Sequence, residues 1–185
     1  MSPSTRLTSM KLLSALATSF ALAAALAAPA AADVLKVGDR LAELDVAKSD
    51  SDDKAFKLKA YKGKLLVVTV GAEWCKPCAK ELPTWDKLAG ELGDKVTFIA
   101  IGIDDEPAAS KRFHKKLKLK NMTLVYMPAE KSGVVASYGS DTMPTTFIAD
   151  KNMIVRKVKK GFEEGDKDGE LKKMKAELEK LIDAK

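Results

Sequence analysis

The chain has 185 residues, and its 46% hydrophobic content is enough to fill one proper core, so a single folded domain is expected. Its formal net charge of +6 is spread along lysine-rich helical stretches, which reads as a solvated surface and excludes a nucleic-acid footprint. With two cysteines in all, the fold does not depend on a framework of disulfides.

Residues 1–32 carry Arg6 and Lys11, no acidic residue, an apolar run from Leu12 to Ala27, and then Ala30-Ala31-Ala32. This is the three-part pattern of an export signal, with cleavage expected just before Asp33. A retained membrane anchor is the alternative, because the alanine-rich stretch approaches spanning length. No cysteine lies near the cleavage site, which excludes a lipoprotein anchor there. Without the leader the net charge becomes +4, since Arg6 and Lys11 leave with it. Residues 33–185 remain as the folded domain.

Val34 to Asp45 reads as a short strand or an extended arm, and Lys48 to Lys54 as a polar turn. Ala55-Phe56-Lys57-Leu58-Lys59 alternates with period two, which predicts an edge strand with Phe56 and Leu58 facing in. Leu65 to Val70 is a continuous β-rich run, the pattern of a central strand covered on both faces. A helix follows with Leu82, Trp85, Leu88 and Leu92 at helical spacing. Pro83 is expected to kink it and Gly93-Asp94 to end it. Val96 to Ile103 is a second buried strand, so strand, helix and strand make a βαβ unit with a parallel pair.

Pro107 to Leu119 predicts a lysine-rich helix, and His114 within it reads as a surface residue. Thr123 to Tyr126 predicts a short strand and Ser132 to Tyr138 a short helix. Thr145 to Ala149 and Met153 to Val158 flank a turn and read as an antiparallel hairpin. From about Asp166 a terminal helix aligns Leu171, Met174, Leu178 and Leu181 on one face.

The chemistry lies in Gly71-Ala72-Glu73-Trp74-Cys75-Lys76-Pro77-Cys78, between the first buried strand and its helix. Two thiols at this spacing in a first helical turn can close a small disulfide ring. An exposed first cysteine at the helix tip would meet unpaired N–H groups and the positive end of the dipole, which favour the thiolate. Lys76 adds a positive charge. Cys75 is therefore the candidate nucleophile and Cys78 the resolving thiol. Half a zinc site and a plain structural disulfide are the alternatives. Zinc wants four ligands, yet there is no second cysteine pair and the single histidine lies far along the chain. A staple would more usefully close a long loop.

Ala72 to Cys78, together with Met143-Pro144-Thr145-Thr146-Phe147, resembles the thioredoxin superfamily. Cys78-Ala79-Lys80-Glu81-Leu82-Pro83 is similar to its TlpA and ResA group of exported thiol-disulfide oxidoreductases. The resemblance runs from about residue 34 onward. It implies an α/β thioredoxin-like fold, a central mixed sheet flanked by helices, with extra N-terminal strands. It further implies a cis Pro144 beside the dithiol, with Met143 offering its backbone to substrate, and Trp74 packed over the dithiol with Pro77 between the cysteines.

Glu81, one turn after Cys78, is implied as the proton carrier, and a desolvated carboxylate there would have the raised pKa such a role needs. Thr69 departs from the buried aspartate of cytoplasmic thioredoxins, six residues before the first cysteine, and leaves Glu81 as the acid-base candidate. Lys76 replaces a glycine and is expected to make the couple more oxidising. Trp85 reads as core.

The function so implied is reduction of protein disulfides in the periplasm or another extracytoplasmic space, with no cofactor beyond the Cys75–Cys78 disulfide and no metal. Apocytochrome c or copper-site proteins are the implied clients, and a membrane thiol reductant the implied electron source. Three other readings are weaker. A disulfide-donating oxidase or isomerase would carry a larger insertion. A copper chaperone of Sco type spaces its cysteines one residue further apart and uses a late histidine. A peroxidase of this fold lacks the CxxC paired with a cis-proline strand.

Overall fold

The computed structural model describes residues 34–44, 46–127, 138 and 142–184. The leader and the helix read at 132–138, Tyr138 apart, lie outside the described residues. Six strands form one sheet: β1 Lys48–Ser49, β2 Leu65–Gly71, β3 Val96–Gly102, β4 Thr123–Tyr126, β5 Thr145–Ala149 and β6 Val155–Lys160. Their spatial order is β1-β4-β3-β2-β5-β6. The pairs β2/β3 and β3/β4 are parallel, whereas β1/β4, β2/β5 and β5/β6 are antiparallel. Three α-helices pack on it among the described residues: α1 Cys78–Leu92, α2 Pro107–Leu117 and α3 Lys167–Asp183.

Every residue of β2 is buried, as its unbroken apolar run demands of a strand covered on both faces. Alternate residues feed two separate clusters. Leu66, Val68 and Val70 join Ile99, Ile101, Phe147 and the N-terminal arm on one face. Leu65 and Val67 join Phe98, Ile148 and the apolar stripes of the helices on the other. Helix α1 continues through Pro83 and ends at Gly93, whose N–H bonds the Ala89 carbonyl. The Asp166 side chain caps α3 by accepting the Gly169 N–H, and Met174 and Leu178 are the buried residues of the predicted apolar face.

The N-terminal portion differs in part from expectation. Residues 34–44 form an extended arm, one of the two expected forms: Arg40 bridges Ile154 just before β6, Gly38 and Leu41 donate to the Val155 and Met153 carbonyls, and the Val155 N–H donates to the Asp39 carbonyl. The first strand forms instead at Lys48–Ser49, inside the expected polar turn, and pairs with β4. An edge strand needs only its backbone groups, so polar side chains do not forbid it. Ala55 contributes a single bridge, and the predicted strand gives way to a 3-10 turn at Leu58–Tyr61. The Glu43 carboxylate accepts the N–H groups of Leu58 and Lys59 at 2.6 and 3.0 Å, which turns the chain there. Phe56 and Leu58 are nonetheless buried.

His114 is a correction. It is 2% exposed, and its Nδ1 lies 2.7 Å from Asp50 Oδ2 in the turn after β1. Lysines surround it in sequence, but α2 turns His114 and Phe113 inward together. The close approach rests on Gly102, where a Cβ would stand 2.5 Å from the Ser110 Cβ.

Candidate active site

The dithiol loop leaves β2 at the carboxyl ends of the parallel strands and enters α1, the end at which α/β sheets present their chemistry. Cys75 and Cys78 are joined as a disulfide. Pro77 caps the helix and Cys78 is its first residue. The Cys78 N–H, one of the donors a helix start leaves unpaired, points to Cys75 Sγ at 3.3 Å. After reduction this donor and the dipole favour charge on Cys75. Cys75 is only 5% exposed in the disulfide, so the expected open position is corrected: the ring is folded against the core and the tip is formed by Lys76 and Trp74. Trp74 is 70% exposed instead of packed down.

Residues that motif reading did not single out hold this loop. A Cβ on Gly71 would come within 3.2 Å of the Cys78 Cβ, so the strand end accepts only the smallest residue without displacing the dithiol. Asp104, buried after β3, accepts the Glu73 N–H at 3.0 Å and the Ser110 hydroxyl at 2.8 Å. A buried carboxylate with a loop N–H as partner was a signal the sequence offered only as an isolated Asp-Asp pair. The Met143–Pro144 peptide bond is cis. Pro144 is buried, and Met143 packs against the cluster that contains both cysteines.

Below the dithiol, Glu81 is fully buried. Thr69 Oγ1 donates to its Oε2 at 2.8 Å and Thr146 Oγ1 donates to its Oε1 at 2.9 Å. The two hydroxyls are 3.0 Å apart. Thr69 thus departs from the aspartate pattern only to serve the glutamate one turn along the facing helix. Burial pushes the Glu81 carboxyl above its ordinary value. The Thr69 and Thr146 hydrogen bonds, the Trp85 indole and the positive charge of Lys159 draw it part of the way back. The indole N–H itself makes no hydrogen bond of ordinary geometry. Trp85 is buried and meets Phe162 edge to face at 5.7 Å. Among the described residues no group of three or more His, Cys, Asp or Glu side chains is placed to hold a metal ion.

The arrangement supplies a two-electron couple, a helix-start donor on one sulfur and a buried carboxyl able to hold a proton. The ResA thiol-disulfide oxidoreductase of Bacillus thuringiensis is 32% identical over 113 residues, which are 60% of this chain and 64% of that protein. The match therefore spans less than two thirds of that relative. Among solved structures, the exposed lipoprotein thioredoxin Etrx1 of Streptococcus pneumoniae superposes with a TM-score of 0.60 at 29% identity, covering 76% of this chain and 100% of that one. A Chlorobium tepidum protein described as thiol:disulfide interchange protein DsbE superposes with a TM-score of 0.66 at 22% identity, over 78% of this chain and 99% of that one. These superpositions carry the thioredoxin-like fold. Residues 36–178 match Redoxin, and the chain belongs to the Redoxin family.

Proposed function

We propose that the protein is a thiol-disulfide oxidoreductase that reduces protein disulfides outside the cytoplasm, with Cys75 as nucleophile, Cys78 as resolving thiol and Glu81 as proton carrier. The observation that carries this reading is a CxxC disulfide whose first sulfur accepts the first helical N–H, above a buried carboxyl. The Cys75 thiolate attacks one sulfur of a substrate disulfide. That bond breaks, a mixed disulfide forms, and one substrate sulfur leaves and takes a proton. Cys78 gives its proton to the Glu81 carboxylate and attacks Cys75 Sγ, releasing the second substrate sulfur, which takes up a proton. Two electrons pass from the dithiol to the substrate, and no other cofactor is needed. A glutamate whose proton affinity is raised by burial is better suited than a solvated one to accept and return that proton.

Supporting an extracytoplasmic site are the leader pattern and a neighbour described as an exposed lipoprotein. No described helix is long and apolar enough to cross a membrane. In an oxidising compartment a dithiol persists only when electrons are supplied, so a membrane thiol reductant completes the cycle. Apocytochrome c thiols or a copper-site protein are the clients this reading favours.

The test is the reduction potential of the Cys75–Cys78 couple, measured by equilibration with glutathione and dithiothreitol, alongside copper titration of the reduced protein. A strongly reducing value is expected. A strongly oxidising value would replace reduction by disulfide donation, and tight copper binding with sluggish exchange would indicate a copper chaperone.

A further inference from the structure

Lys159 sits on β6 directly opposite Thr146 of β5. Paired residues on antiparallel strands project to the same face, and Thr146 uses that face to hold Glu81. The lysine side chain therefore leans toward the same buried pocket, and it is only 22% exposed. Its ammonium is fixed from three sides. Glu170 of α3, itself buried, lies 2.7 Å away in an ion pair whose angle is not that of a hydrogen bond. The Gly161 carbonyl accepts a hydrogen bond from it. The Phe162 ring, set edge to face against Trp85, lies 5.3 Å from it. A lysine that only sought water would extend its head outward along the helix surface. Here it is held inward by a carboxylate that is itself withdrawn from water.

We propose that the Lys159–Glu170 pair is a positioning device for the proton chemistry of the dithiol, setting how readily Glu81 takes the proton from Cys78. This rests on the Glu81 reading above. The groups around Glu81 are the Thr69 and Thr146 hydroxyls from β2 and β5, Cys78 and Trp85 on its own helix, Lys159 from β6 and, behind it, Glu170 from α3. Lys173 approaches Glu170 from the solvent side at 3.8 Å. A fixed positive charge favours the ionised, proton-accepting Glu81, and burial opposes it. Glu170 moderates that charge, so the two residues push the carboxyl in opposite directions.

The experiment uses the full reduced protein and 5,5′-dithiobis(2-nitrobenzoate), whose second thiolate is released when Cys78 resolves the mixed disulfide. The rate of that second release is followed against pH. Lys159→Met is expected to slow it about three- to tenfold near neutral pH, converging with the parent at alkaline pH, while Lys159→Arg restores the parent profile. Glu170→Gln is expected to move the profile to lower pH, the opposite sense. In a Glu81→Gln background neither change alters the profile further. Equal slowing by Lys159→Met at every pH, or an unmoved profile in a variant that folds, would overturn the proposal while Glu81→Gln still flattened the curve. An unaltered profile for Glu81→Gln would overturn the Glu81 reading and this inference with it.

Discussion

The two faces of the sheet are built from alternate residues of the same strands, yet they tolerate different chemistry. Toward the N-terminal arm, β2 and β5 present Leu66, Val68, Val70, Phe147 and Ala149, with a buried hydroxyl at Thr145 that donates to the nearby Thr142 carbonyl, and Phe147 meets Tyr138 edge to face at 5.4 Å. Toward α1 and α3, the same two strands interrupt Val67 and Ile148 with Thr69 and Thr146, whose hydroxyls hold a buried carboxyl. A core that only had to be stable would have filled those positions with Val or Ile. Each threonine hydroxyl carries a desolvation cost that its hydrogen bond to Glu81 offsets, and Glu81 would be costly without them. The dithiol stands on the face that accepts this cost.

Breaking the apolar face gives the largest effect on stability. Phe147→Ala is expected to lower unfolding free energy by about 3–5 kcal/mol, read from chemical denaturation, because a fully buried ring and its Tyr138 contact leave a cavity. The polar face is expected to respond less in energy and more in chemistry. Thr146→Val removes one donor from Glu81 at nearly constant volume and is expected to cost about 1–3 kcal/mol. It also shifts Glu81 further toward its protonated form, so the pH profile of exchange moves upward. A Thr146→Val protein with unchanged stability and pH profile would show that the hydroxyl is not needed.

The smallest effect sharpens the comparison most. Glu81 binds its proton more tightly in the folded chain than in the unfolded one, because burial raises its pKa. Between the ordinary carboxylate value and the raised one the folded state holds more protons, so stability falls as pH rises through that window and levels off above it. Glu81→Gln is expected to remove this slope, leaving stability little changed on the acid side and greater above the window. Denaturation midpoints collected across pH for both proteins decide it. A parental curve that rises through that window would mean the carboxyl is not held protonated by burial.

Much of the fold is legible in the chain because its signals are local. Leu65 to Val70 can only be a strand buried on both sides, Leu82, Trp85 and Leu88 share a helical stripe, and CxxC followed by a distant Met-Pro-Thr marks one site. Glu81 was visible as a residue one turn past Cys78. What it touches was not, since Thr69 and Thr146 lie 12 and 65 residues from it along the chain. Thr69 read as a missing proton acceptor, and its contact makes it a hydrogen-bond donor to the buried Glu81.

His114 and the first strand went the other way for the same reason. The sequence by itself determined the central strands and the helices that flank them, where the two thiols sit and which proline faces them in motif. These follow from periodicity and from residue types whose preferences act over one or two turns. Only the tertiary structure decided that His114 turns in to Asp50, that a polar turn becomes an edge strand, and that Lys159 pairs with the buried Glu170. Each of those depends on a partner supplied by a distant segment, and the hydrogen-bond or ionic energy that selects it exists only once the sheet has brought the two together.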